Sequence, residues 1–146
     1  MEMRRKIIAM MVGITAMACT SCDFVTSDNG DLDGLWQMTF MENLGTQQVT
    51  DARDKMVAWA FQGTLVQMNS EQIEEVTGEF ALEEHSLRIW NLNHFSHATG
   101  DTLMTDMTIL RTLGIYGQEP SFHVLELSKS TLRLENDSVR ISFRKY

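Results

Sequence analysis

Several residue types are scarce in this chain, and each scarcity excludes something. A single proline, Pro120, in 146 residues leaves no room for Pro-rich linkers or collagen-like segments. Both cysteines, Cys19 and Cys22, lie near the N-terminus, so no disulfide framework holds the remainder. Bases are outnumbered, 12 against 20 acids, for a formal charge of −8. Without a basic footprint to displace counterions from phosphates, the chain is not expected to bind nucleic acid. No G-x-G-x-x-G or Walker sequence is present to cradle phosphate, and no serine sits in a G-x-S-x-G elbow. The chain therefore reads as a non-enzyme with no cofactor.

What is present is the composition of a folding chain, 43% hydrophobic and 22% charged, and enough length for one ordinary domain. The first 21 residues read as a bacterial export signal. Arg4, Arg5 and Lys6 form a basic start, and Ile7 to Ala18 then runs twelve residues without a charge. That run suits a signal core and falls short of the roughly 20 residues a spanning helix needs. Small Thr20 and Ser21 precede Cys22 as in a lipobox, so Cys22 is the expected lipid attachment site, with Cys19 the second choice. Several acyl chains on one cysteine make a firm membrane anchor.

Removing residues 1–21 takes away three bases (Arg4, Arg5, Lys6) and one acid (Glu2), which leaves 9 bases, 19 acids and a charge of −10. A domain that acidic is repelled by anionic headgroups, so the lipid must do the holding. Residues 22–33, with turn formers at Ser27-Asp28-Asn29-Gly30, read as a flexible tether. The folded domain is expected over residues 34–146.

From Gly34 onward the hydrophobic period is 2 far more often than 3.6, which predicts an all-β domain. Trp36, Met38 and Phe40 alternate with Gln37, Thr39 and Met41. Val57, Trp59, Phe61 and Leu65 share one face of a long run from Met56 to Asn69, with Gly63 marking a bend or bulge. Further strands are predicted at Gly78–Glu83, Ser86–Leu92, Ser121–Leu127, Thr131–Glu135 and Ser138–Lys145. Gly45 to Lys55 reads as a loop or one helical turn, capped by Thr50 or Asp51. The 93–120 segment is long for a loop, and its Met107, Leu110 and Leu113 predict a short helix over Thr105–Leu113 capped by Thr105. An additional strand is placed around Thr102–Thr108. Short turns between about eight strands fit an antiparallel up-and-down barrel, which removes exposed edges. An immunoglobulin-type sandwich is the runner-up, without its usual Cys…Trp…Cys core.

Gly34-Leu35-Trp36 at the first strand resembles the Gly-x-Trp signature of the lipocalin superfamily. The mature chain is also similar to the small lipocalin-like lipoproteins of gut-type Gram-negative bacteria. The similar stretches are Ser21–Phe24, Gly30–Gln37, Trp59–Gln62, Leu110–Ile115 and Val139–Tyr146. The resemblance implies an up-and-down calycin barrel at the cell envelope, with no settled biochemical activity. It further implies that Gly34 and Trp36 close one barrel end, with a late basic residue, Arg140 or Arg144, across the Trp36 ring.

Other constellations are weaker. His94 and His97 are spaced H-x2-H, with His85, Asp101 and Asp106 near in sequence, but zinc needs three or four converging ligands with a second shell to orient them. They read as solvated loop histidines, and no metal is expected. Glu83 and Glu84 are adjacent on a strand and point to opposite faces. The strand aromatics Trp36, Trp59, Phe61, Phe80 and Trp90 are either barrel core or the wall of an apolar pocket. Two functional expectations follow. The first is a lipid-anchored envelope protein, most naturally of the outer membrane, that holds a small apolar or amphipathic ligand inside the barrel, in a cavity of roughly 300 Å³ or more. The second is a solid barrel that acts as a protein–protein interaction module of an envelope complex.

Overall fold

A computed structural model describes residues 27–146; Cys19, Cys22 and the expected signal lie outside the described residues. Ten strands follow in order: β1 (Gly34–Asn43), β2 (Gln48–Asp51), β3 (Ala58–Gln62), β4 (Leu65–Asn69), β5 (Val76–Glu83), β6 (Ser86–Ser96), β7 (Gly100–Leu103), β8 (Ser121–Leu127), β9 (Thr131–Glu135) and β10 (Val139–Lys145). One short helix, α1 (Met107–Thr112), lies between β7 and β8. All pairings are antiparallel, and β1 pairs with β10 to close an eight-strand ring, β1-β3-β4-β5-β6-β8-β9-β10. Two short strands stand off this ring as hairpin arms, β2 on β1 and β7 on β6. The result is a closed all-β barrel rather than a two-sheet sandwich.

Alternation along the strands fills the interior. Val139, Ile141 and Phe143 of β10 and Leu132 and Leu134 of β9 are buried, while their neighbours are not. Three local irregularities shift this parity and move residues from where simple alternation puts them. A bulge at Thr39 lies between the pairs Met38↔Phe143 and Phe40↔Ser142, so Phe40 turns outward (42% exposed) and Met41 turns in. The expected single strand over Met56–Asn69 is a hairpin: Gln62 pairs with Leu65 across Gly63-Thr64. Gly63 has φ +62° and Thr64 does not share it, as in a II′ turn with glycine first. The turn places Val66 inside and leaves Leu65 58% exposed, opposite to the expected face.

The third irregularity lies in β6. Gly78 of β5 faces an extra residue there, and Asn91 takes φ +51°. A Cβ on Gly78 would lie 3.0 Å from Trp90 O and from Leu92 Cδ2, so any larger residue there would press on the bulge. Trp90 lies before the bulge and faces outward with Arg88 by simple alternation with buried Leu87 and Ile89. It is next to Glu79 in register and under the Arg88 guanidinium at 5.8 Å from the ring centroid, and the bulge brings Leu92 inside after Ile89.

The region from Gly45 to Lys55 contains β2 and a 3-10 turn, Arg53–Lys55, with the Asp51 side chain accepting from Arg53 N. Asp106, not Thr105, caps α1, accepting from Thr108 N at 2.9 Å and Ile109 N at 3.3 Å. Of the additional strand expected around Thr102–Thr108, only Thr102 and Leu103 lie in a strand, as the end of β7 outside the ring, while Met107 and Thr108 begin α1. The expected tether is also shorter than 22–33. Gly30–Leu32 form a 3-10 turn whose Leu32 is buried in the core, so the folded domain takes in Ser27–Asp33.

Candidate functional site

Four of the five expected site aromatics converge in the barrel. Trp36 and Trp59 are directly paired between β1 and β3, and both are fully buried. The Trp59 ring lies 5.0 Å from Phe143, 6.0 Å from Phe122 and 6.2 Å from Phe61, centroid to centroid. Phe61 in turn meets Phe80 edge-on at 5.0 Å, a favoured arrangement for aromatic quadrupoles. Each buried indole finds an acceptor: Trp36 Nε1 donates to Leu32 O at 2.8 Å and Trp59 Nε1 to Leu113 O at 2.9 Å. These rings pack on one another and on the chain's own carbonyls. Trp90, the fifth, is not with them, because alternation with the buried Leu87 and Ile89 puts it on the outer face.

The two bonds also show how the barrel ends are closed. At the Trp36 end, Leu32 of the 3-10 turn lies against the indole. At the opposite end, where β1 reaches Asn43 and β10 begins, the connection through α1 folds inward. Met104, Leu110, Leu113 and Ile115 are buried there. Gly114 has φ +88°, and a Cβ on it would lie 2.7 Å from Ile141 Cδ1 and 3.1 Å from Met38 Cε. Only glycine fits that contact between plug and wall. The outer face carries a depression of about 530 Å³ bordered by Ala60, Gln62, Leu65, Gln67 and Thr77. Neither it nor the smaller depressions beside α1 and β5 are lined by Trp36, Trp59, Phe61 or Phe80. The expected interior pocket is instead occupied by the aromatic cluster and by the residues around α1.

The cation over Trp36 is Lys145. Its Nζ lies 4.9 Å from the ring centroid and donates to Asp31 O at 2.8 Å. Arg140 and Arg144, the expected candidates, are elsewhere. They share the outward parity of β10: Arg140 pairs with Glu135 (2.5 Å) and Glu42 (3.0 Å), and Arg144 Nε donates to the buried Gln37 Oε1 at 2.8 Å. Lys145 continues the inward series Val139, Ile141, Phe143 and faces Trp36 in register. Gly34 makes room for it: φ is +117°, and a Cβ would lie 2.9 Å from Lys145 Cε.

Beside this end, Ser27 Oγ donates to Asp33 Oδ1 at 2.5 Å and accepts from Gly63 N at 2.7 Å. Asn29 Nδ2 donates to Asp33 Oδ1 and to Gly63 O. Burial by itself would raise the Asp33 carboxyl, but the hydrogen bonds from Ser27 and Asn29, with the charge of Lys145, hold it below its ordinary value. The chain entering the barrel is thereby clamped to the β3–β4 turn.

The histidines do not converge. His94 Nε2 lies 3.5 Å from Glu74 with its Nδ1 buried and unpartnered, His97 packs on Phe95, and His85 lies 6.3 Å from His123. Among the described residues no three His, Cys, Asp or Glu side chains are grouped to hold a metal ion.

A family model for the lipocalin-like domain matches residues 16–146. The chain belongs to the lipocalin-like domain family. Two solved structures are similar to it. One is a lipocalin-like protein from Bacteroides uniformis ATCC 8492, 23% identical, with a TM-score of 0.62, covering 80% of this chain and 100% of that one. The other is an uncharacterized protein from Bacteroides eggerthii DSM 20697, 23% identical, with a TM-score of 0.55, covering 79% of this chain and 99% of that one. No curated protein matches the chain. The likeness to the two structures carries the fold, an up-and-down barrel closed through β1 and β10, and a lipocalin-like barrel suggests a role in binding.

Within this lipocalin-like barrel, sequence reasoning missed Leu32, Lys145 and the inward course of the plug. Lys145 was signalled by its parity with Phe143. The plug was legible in part: Met107, Leu110 and Leu113 predicted its helix, but not that the connection turns into the barrel.

Proposed function

We propose that this lipocalin-like chain is a lipid-anchored binding protein of the cell envelope, in which a solid barrel meets a protein partner through its outer surface. The observation that carries this reading is the filled interior: the rings of Trp36, Trp59, Phe61 and Phe80 pack on each other, and Leu110, Leu113 and Ile115 occupy the far end. The arms supply partner-facing elements. β2 and β7 each pair on one side only, and they carry Val49 (60% exposed) and Leu103 (62% exposed). A free strand edge next to apolar side chains is a standard site for main-chain pairing with another protein. Among the described residues no helix is long and apolar enough to cross a membrane, and the anchor in this reading is the lipid on Cys22, with the outer membrane as its location.

A small apolar or amphipathic ligand inside the barrel is the second reading. One feature favours it: the plug lies outside the eight-strand ring, so its withdrawal leaves the ring's pairing intact. Native mass spectrometry of the protein purified in detergent from its own host separates the two. The expected mass is the mature chain with acyl groups on Cys22 and nothing else. A stoichiometric co-purifying small molecule would overturn the solid-barrel reading, and an unacylated Cys22 would overturn the anchor.

A further inference from the structure

The clamp on Ser27 fixes where the chain leaves the barrel, and that position limits how the barrel can stand on a membrane. Ser27 and Asn29 are bonded to both polar groups of the Gly63 backbone, at the β3–β4 turn. That turn is on the Trp36 end, together with the start of β1 and the end of β10. Only Asp23 to Thr26 separate Cys22 from Ser27. Whatever their conformation, the five peptide links from Cys22 to Ser27 reach at most about 18 Å.

The barrel is taller than that reach. β1 has ten residues, about 30 Å of strand and about 23 Å of height at the usual barrel tilt. Resting the α1 end on the bilayer would lift Ser27 at least that far above it, beyond what the link can span. We infer that the anchored protein stands with its Trp36 end or its β3–β4 flank toward the bilayer, and that α1 and the two arms face away from it. This rests on the reading of Cys22 as the anchor and adds to it a defined presenting surface. The α1 end, with Val49 of the β2 arm and Phe95 and Leu103 of the β6–β7 arm exposed, then faces the aqueous compartment. The bilayer is the neighbour of the opposite end.

The test uses the mature chain on phosphatidylcholine vesicles that carry a lipid-borne fluorescence quencher, with one introduced cysteine at a time labelled with a fluorophore. Thr64→Cys and Glu83→Cys report the Trp36 end; Thr46→Cys and Ala98→Cys report the arms, and all four positions are exposed. Labels at 64 and 83 are expected to be quenched several-fold more than labels at 46 and 98. A Gly/Ser insertion of about ten residues after Asp23, which roughly triples the reach, should erase much of that difference. Equal or reversed quenching with the native link would overturn the orientation. Protein isolated from cells that fails to bind vesicles at all would overturn the anchor instead. In that event the same four positions, labelled through an azido residue in place of cysteine, in a chain coupled through the Cys22 thiol to a maleimide lipid, still read the geometry.

Discussion

Lys145 Nζ lies 4.9 Å from the centre of the Trp36 ring and donates to the backbone oxygen of Asp31 at 2.8 Å. One side chain thus joins the last strand, the first strand and the turn that precedes it, at the seam where the barrel closes. The cation faces a fully buried indole that is also bonded to Leu32 O, so the same turn is held from two sides.

Lys145→Met keeps the stem and removes the charge. It should cost about 1 kcal/mol in urea unfolding, the range of a cation–π contact with a partly exposed cation, and should shift the Trp36 indole N–H resonance. Arg140→Met removes a cation that lies on Glu42 and Glu135 instead and should leave that resonance in place. The reverse pattern would return Arg140 to the ring.

Gly114→Ala should be costly twice, through a positive φ and through a Cβ placed 2.7 Å from Ile141 Cδ1. A loss of about 2–4 kcal/mol is expected. Ile141→Val removes the atom in conflict, so the double variant should lose less than the two single losses added together. Strict additivity in calorimetry would mean that the plug does not press on the wall there.

Leu113→Ala should destabilise by about 2–5 kcal/mol, as for a fully buried leucine whose site cannot collapse. The Trp59 bond is to the Leu113 backbone oxygen and should persist, visible as an unchanged Trp59 indole N–H resonance. A loss under about 0.5 kcal/mol, typical of a surface position, would place Leu113 outside the core.

Asp33 gives the pH dependence. Its folded carboxyl is held below the ordinary value by Ser27, Asn29 and Lys145, against the opposing effect of burial, while in the unfolded chain it titrates near about 3.9. As pH falls, the unfolded chain therefore takes up the proton first. The stabilisation is fully present above that ordinary value and is lost as pH falls through the lower folded one. Wild type should be more stable than Asp33→Asn at neutral pH, with the gap closing below about pH 4. A gap that widens on acidification would contradict the assignment.

The strand pattern was largely legible because period-2 alternation is a direct consequence of the pleat. It marked β1, β6, β8, β9 and β10, and the Gly-x-Trp start. What alternation cannot carry is a change of parity. Thr39 and the Gly63-Thr64 turn shift the inward set and displaced Phe40 and Leu65 from their expected faces, and the Asn91 bulge brings Leu92 inside directly after the outward Trp90. Gly63 was read as a bend because a bulge and a two-residue turn use the same residue. The aromatic residues were found, but their role was not. An inward ring looks the same in sequence whether it packs on a ligand or on the buried α1 connection, and that connection is recognisable only once the barrel places Leu113 beside Trp59.

The central claim is that the interior is occupied by the chain itself, and a crystal structure under xenon pressure tests it most directly. Xenon enters dry apolar cavities. No xenon is expected among Trp36, Trp59, Phe61 and Phe80 of the wild-type barrel, and a bound atom is expected in Leu113→Ala where the side chain was removed. Xenon or ligand density among those four rings in the wild-type protein would contradict it.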